Sequence, residues 1–444
     1  MYLLSGRRPV WLLLASLLIF SAMLAGRLIL DQAPMSAAHE TDQPVLARPS
    51  WTTVDRIVNL QDRLRLNPEN TTAYAQLGLA LLQRVRESGD ASLYSQAEQA
   101  LAEALKRDPQ QLDALMGQGS LALSRHQFNE ALRWGEQARA INPYRGQVYG
   151  IIGDAQVELG QYEAAAQTIQ KMVDTRPELA SYSRVSYQRE LHGDTAEAIA
   201  AMQMAVDSGL PTAEGTLWVQ TQLGHLYFNS GDLAQAEQTY QHALQIRPDY
   251  VYAQAGMARV RAAQSQAEEA IEFYQKIVER LPLPEFVIAL GELYEVTGQP
   301  AKAKQQYDLV RAIQQLNASA GMNVDMEMAL FNADHGADPV QALQQARSAY
   351  AERPSIYGAD ILAWTLYHTG NYAEAKQYSQ EALRLGTRDA MLHYHAGMIA
   401  YALKDLAAAC EHLQQALAIN PNFSVRYAPQ ARALLAELNT EDGR

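Results

Sequence analysis

A single cysteine in 444 residues rules out an internal disulfide framework, because a bridge needs two thiols. The motifs that carry chemistry are missing as well. No GxxxxGK phosphate loop, HExxH helix, cysteine pair or GxSxG elbow occurs, so nothing announces a nucleotide cradle, a catalytic zinc or an activated serine. Basic residues are in deficit: Lys and Arg number 36 against 49 Asp and Glu, for a formal net charge of −13. Phosphate backbones would be repelled, which excludes nucleic acid as an expected partner. Alternation of apolar and polar residues never persists, so strands are not expected. No enzyme, metal, cofactor or small-molecule ligand is expected.

The ten histidines are scattered. His393 and His395 are two apart and would face different sides of one helix, a poor start for a metal site. His126, His192 and His368 lie near expected helix ends, where the ring suits the dipole. The lone Cys410 stands beside the small Ala409 and reads as a packed thiol.

What the chain does have is a period. In the stretch LGHLYFNSGDLAQAEQTYQHALQIRP, Gly224 is followed after twelve residues by Ala236, after seven more by Ala243 and after five more by Pro248. Gly119, Ala131, Ala138 and Pro143 repeat the frame. So do Gly153, Ala165, Met172 and Pro177; Ala258, Ala270, Ile277 and Pro282; and Gly397, Ala409, Ala416 and Pro421. Gly291, Ala303 and Val310 lack only the proline. Gly78 joins Ala97, Ala104 and Pro109 if about seven residues, RESGDAS, lengthen the first turn. Ser186, Leu330 and Ala363 head weaker copies. Ten units result, beginning near 71, 112, 146, 179, 217, 251, 284, 323, 356 and 390.

Small residues within an apolar helical stripe let another backbone approach closely. Gly160, Gly193, Gly231, Gly298 and Gly370 fall where each first helix should stop, since glycine takes the left-handed conformation without steric cost. Asp194 and Asp232 follow, ready to accept from the free amides of the next helix. The late proline ends the second helix. Val54–Leu66 reads as a second helix without its first, and RYAPQARALLAEL (426–438) as an amphipathic cap with Ala431, Leu434, Leu435 and Leu438 on one side.

With these anchors and this period, residues 67–421 resemble the tetratricopeptide repeat family, each unit a helix-turn-helix. The position that the family usually fills with Trp holds Leu115, Tyr149, Tyr182 or Gln220. The resemblance implies an all-α, right-handed α-solenoid, a superhelix occupying 53–438, and an elongated rod rather than a reactive cavity. It also implies that first helices line a concave groove with their second, fifth, ninth, twelfth and thirteenth residues. On this chain that face presents Trp218, His225, Phe228, Tyr252 and Arg259, then Phe331, Asp334, Tyr357, Trp364, Tyr367, His368, Tyr394 and Tyr401. Glu292, Glu295, Glu327 and Asp360 add negative charge. Rings among carboxylates suit a protein or peptide segment with apolar and basic side chains, although the same rings could pack between units. Groove positions are acidic, aromatic or small, unlike the Lys, Asn and Arg of relatives that clamp a terminal carboxylate.

The first thirty residues address location. Arg7 and Arg8 precede an uncharged run from Pro9 to Gly26, followed by Arg27 and three apolar residues. A run through Leu30 reaches the roughly 20 residues that span a bilayer. We read 1–30 as an uncleaved transmembrane signal anchor with its N-terminus cytoplasmic, and 31–52, with three prolines, as a tether. The alternative is a cleaved signal peptide and a secreted or periplasmic protein. The function expected is a non-enzymatic, membrane-anchored scaffold for assembling an envelope or membrane complex. A binding module for cell-wall glycan or a small ligand, or an accessory subunit of an enzyme complex, are the alternatives.

Overall fold

In the computed structural model, residues 52–336 and 338–441 are described, without the side chains of residues 440 and 441. The expected anchor and tether, residues 1–51, lie outside them. Among the described residues every regular element is an α-helix, and no helix is long and apolar enough to cross a membrane.

The opening helix, Thr53–Leu66, is started by Thr52, whose side chain accepts from the Asp55 amide while Asp55 accepts from the Thr52 backbone. Ten helix pairs follow. The first helices are Thr71–Ser88, Leu112–Ser124, Gly146–Glu158, Leu179–Leu191, Glu214–Asn229, Val251–Ala263, Pro284–Val296, Asp325–His335, Ile356–His368 and Ala390–Ala402. Their partners are Leu93–Arg107, Phe128–Ile141, Tyr162–Thr175, Thr195–Asp207, Leu233–Ile246, Ala267–Arg280, Pro300–Ser319, Pro339–Glu352, Tyr372–Ala382 and Leu406–Ile419. A last helix, Tyr427–Glu441, buries Ala431 and Leu438 against the tenth unit. In the first unit the extra residues lengthen the first helix to 18 residues rather than its turn.

The small anchors work differently from the expectation. At Gly224 and Gly256 the space a Cβ would take is filled by the Tyr240 ring, 2.3 and 2.4 Å from the Cβ position. Leu101 likewise lies over Gly78 and Gly117, and Tyr307 over Gly291. At these positions a large side chain of the second helix fills the gap, with the Ala97 carbonyl also 3.2 Å from the Gly78 position, whereas at Gly119 the filler is Ile151 of the next unit's first helix. The fully buried Ala236 and Ala243 then leave room for neighbouring helices around the Tyr240 ring.

All five turn glycines have positive φ. The same turn in the second, sixth and tenth units is made by His126, Ser265 and Lys404, with φ of 57°, 63° and 61°. These units bear the strain that glycine spares the others. Asp232 caps its helix by accepting from the Gln235 amide. Asp194 makes no such bond and instead pairs with Arg189 at 3.5 Å.

The expectation of an elongated rod without a cavity is corrected. Within residues 52–441 the superhelix winds so tightly that its successive turns touch. The Asn323 amide donates to the Arg125 carbonyl at 2.8 Å, and His126 Nδ1 lies 3.0 Å from the Asn323 carbonyl. Arg353 pairs with Glu158, the Tyr162 hydroxyl accepts from the Ile356 amide, Thr387 donates to the Leu191 carbonyl, and Asn420 donates to the Phe228 carbonyl. The partners in these contacts, which form a seam, are 192–198 residues apart, nearly six units along the chain. Each tight turn of one coil meets the linker after a second helix in the next coil. Gly160 and Gly193 are needed here for a second reason: a Cβ on either would stand 2.3 Å from the carbonyl oxygen of Pro354 or Gly386.

Candidate docking surface

Winding the first helices inward gathers their side chains around a lumen. A cavity of about 980 Å³ opens on it, lined mainly by the first helices of units five to eight, by the turn between the helices of the first unit and by Asn422–Val425 and Tyr427. Of the thirteen expected groove residues, seven line it: Trp218, His225, Phe228, Tyr252, Arg259, Phe331 and Asp334. Glu292 and Glu327 line it too, together with Glu285, Arg86, Tyr94 and Phe286.

The wall is ordered by a few contacts. Trp218 is the most open ring, 42% exposed. Arg259 lies over the Phe228 ring at 4.1 Å and donates to Asn229, so its charge is held flat against the wall. The Tyr252 hydroxyl donates to the Arg86 carbonyl at 3.2 Å, across the seam. Burial, with nearby Arg259, depresses the His225 imidazole to about 3, so it is neutral and shares a 2.7 Å hydrogen bond with the Tyr240 hydroxyl. Glu285 is reachable from the cavity yet ringed by protein, and burial raises its carboxyl above the usual range.

The other six expected residues are placed elsewhere. Trp364, 2% exposed, is packed between parallel rings, Tyr367 at 4.8 Å and His395 at 4.1 Å, and its Nε1 donates to Asp334 at 2.8 Å. His368 meets it edge-on at 4.6 Å. Tyr394, 1% exposed, stacks on Tyr427 and donates to Gln430. These rings hold units eight to ten to the closing helix. Tyr357 is surrounded by Tyr187, Glu190 and Asp389, and Tyr401 is 37% exposed away from the cavity. Phe331 and Phe228, although on the wall, are almost entirely covered by neighbours. Asp360 is also internal, paired with His395 at 2.9 Å, while His393 meets His412.

Two features had no signal in the period. Glu190 and Asp389 approach across the seam; burial first, then Asp389's charge, raises Glu190 to about 7, and burial likewise raises Asp389. Arg184 binds Asp154 through two nitrogens, at 2.7 and 2.6 Å, using the space left by Gly150. The first pair joins units that only the winding brings together, and the second joins the neighbouring third and fourth units. Among the described residues, no group of three or more His, Cys, Asp or Glu is placed to hold a metal ion.

Sequence models of the tetratricopeptide repeat match residues 89–145 and 152–211, 227–286, 359–388 and 390–423, together more than half of the chain. The chain is 28% identical over 166 residues to ETO1-like protein 2 of Arabidopsis thaliana, covering 37% of this chain and 16% of that protein. It is 27% identical over 179 residues to outer dynein arm-docking complex subunit 4 of Homo sapiens, covering 37% of this chain and 27% of that one. The chain thus spans well under a third of the length of either relative. Among solved structures, the human IFIT1 dimer with PPP-AAAA is similar at 17% identity and a TM-score of 0.47, covering 75% of this chain and 77% of that one. The Cut9–Hcn1 hetero-tetramer of the APC/C is similar at 14% and 0.44, covering 87% and 84%.

Proposed function

The chain is a tetratricopeptide-repeat protein, and on that premise we propose that it is a non-enzymatic scaffold that holds segments of partner proteins against its concave wall. One observation carries the reading. Rings and carboxylates from four consecutive first helices, Trp218, Tyr252, Phe286, Glu285, Glu292 and Glu327 among them, converge on a single cavity. Such a wall offers apolar contact area among carboxyl groups, which a protein segment with apolar and basic side chains complements.

A photo-crosslinking residue at position 218 should capture a small number of discrete partners. The control is position 144, whose tyrosine is 85% exposed and off the cavity wall. Capture from 218 no greater than from 144 would overturn the docking reading.

The location proposed is single-pass membrane anchorage through 1–30, with the repeats on the extracytoplasmic side, where the scaffold would serve assembly of an envelope complex. Its support is the uncharged run behind Arg7 and Arg8. Alkaline carbonate should leave the full-length protein in the membrane pellet; release to the supernatant would remove the anchor.

A further inference from the structure

The linker after the tenth unit, 420–426, is longer than most of its counterparts and is matched in length by 383–389 after the ninth. From Pro143 to the next helix at Gly146, and from Pro248 to Val251, the chain advances three residues; from Pro421 to Tyr427 it advances six. The added residues do not loop into solvent. Asn422, Phe423, Ser424 and Val425 lie along the cavity wall. Val425 packs on the core of units six and seven. Arg426, its side chain 16% exposed, lies 3.7 Å from Glu292 and 3.5 Å from Glu295, and points one nitrogen at the Asp334 carbonyl at 3.4 Å.

A cap needs to cover only the unit beside it. This linker instead reaches units three and two places back, and it puts a cation on the face where the repeat pattern set carboxylates for a ligand. We propose that Asn422–Arg426 is a resident latch on the docking surface, with Asn422–Val425 along the cavity wall and Arg426 at the carboxylates beside it, and that the partner is a protein segment bearing an arginine just after apolar side chains, which displaces it. This rests on the concave face being the docking surface.

The fit of the latch supports displacement. Its ionic contacts are 3.5 Å or longer, beyond good hydrogen-bond length. The cavity beside it still measures about 980 Å³ and carries Glu285, Glu327 and Trp218. A longer segment in the same place can keep the arginine site and add those contacts. Because the latch is intramolecular, its effective concentration is on the order of millimolar, so a free peptide binds the native protein weakly.

The probe is a fluorescein-labelled peptide, PNFSVRY, titrated by anisotropy into the full chain. The Val425→Ser/Arg426→Ser variant should bind it at least about tenfold more tightly than the native protein, since the competitor is gone. Glu292→Lys/Glu295→Lys in the same background, or a peptide with Glu in place of its Arg, should lose that gain. A folded latch variant that binds no more tightly than the native protein would overturn the latch. If the variant does not fold, hydrogen exchange of the native protein decides: millimolar peptide should accelerate exchange of amides 422–426, and no change would overturn it. Capture from position 218 uses no latch peptide, so it can succeed when this fails, and only its failure sinks the docking surface itself.

Discussion

Asp360→Ala should destabilise the protein by about 3–5 kcal/mol, the range for removing one partner of a buried ion pair. Asp360 is 6% exposed and His395 2%, and both carboxylate oxygens lie within 3.0 Å of His395 Nδ1. Burial alone would lower the imidazole pKa. The Asp360 charge and hydrogen bond outweigh it, with Asp334 and Asp389 adding, so the pKa stands above its ordinary 6.5. A histidine raised on folding gives stability that is full below its unfolded value and lost as pH rises through its folded value. The native protein should therefore exceed the variant by most near pH 6, and the gap should shrink as the medium becomes alkaline. Urea melts at several pH values measure it. A gap that widens with pH would contradict the pairing. Taking the difference between the two proteins cancels groups common to both that do not face the pair, such as Glu190, whose raised value also favours the folded state at lower pH.

The second large effect belongs to the seam. In Gly160→Val/Gly193→Val each new Cβ would meet a carbonyl oxygen at 2.3 Å, at φ of 69° and 76°. Holding two non-glycine residues in left-handed backbone costs roughly 2–6 kcal/mol in all, and the backbone clash adds a push between coils. Parting of the coils relieves the clash without unfolding any helix. Small-angle scattering should report a larger radius of gyration while helical circular dichroism stays level. Loss of helix in step with expansion would mean that the glycines serve the units rather than the seam.

Much of this architecture was legible in the residues because its causes are local. A glycine twelve before an alanine, and a proline closing the second helix, write helix starts and stops into each unit. What failed to show was either non-local or disguised. The turns at His126, Ser265 and Lys404 carry no glycine to mark them. The seam joins residues nearly two hundred apart, and a period of 33 or 34 residues says nothing of how many units complete a coil. Position on a first helix brought seven residues to the cavity, yet the same positions in the ninth unit put Trp364 and Tyr367 into ring packing. Inward-facing describes both destinations, and only the neighbouring coil and the closing helix decide between them. The long linker from Pro421 was visible as spacing, but where it went was not.

A coil whose turns already rest on one another behaves as a spring at its solid length. Such an object resists shortening at once, and under tension it is stiff until the bonds between turns let go, among them Thr387 to Leu191 and Asn420 to Phe228. Past that point it should lengthen with little further force, because the hairpins themselves remain intact. Load on the folded repeats would thus be carried first by a row of single contacts, giving the molecule a threshold rather than a graded yield.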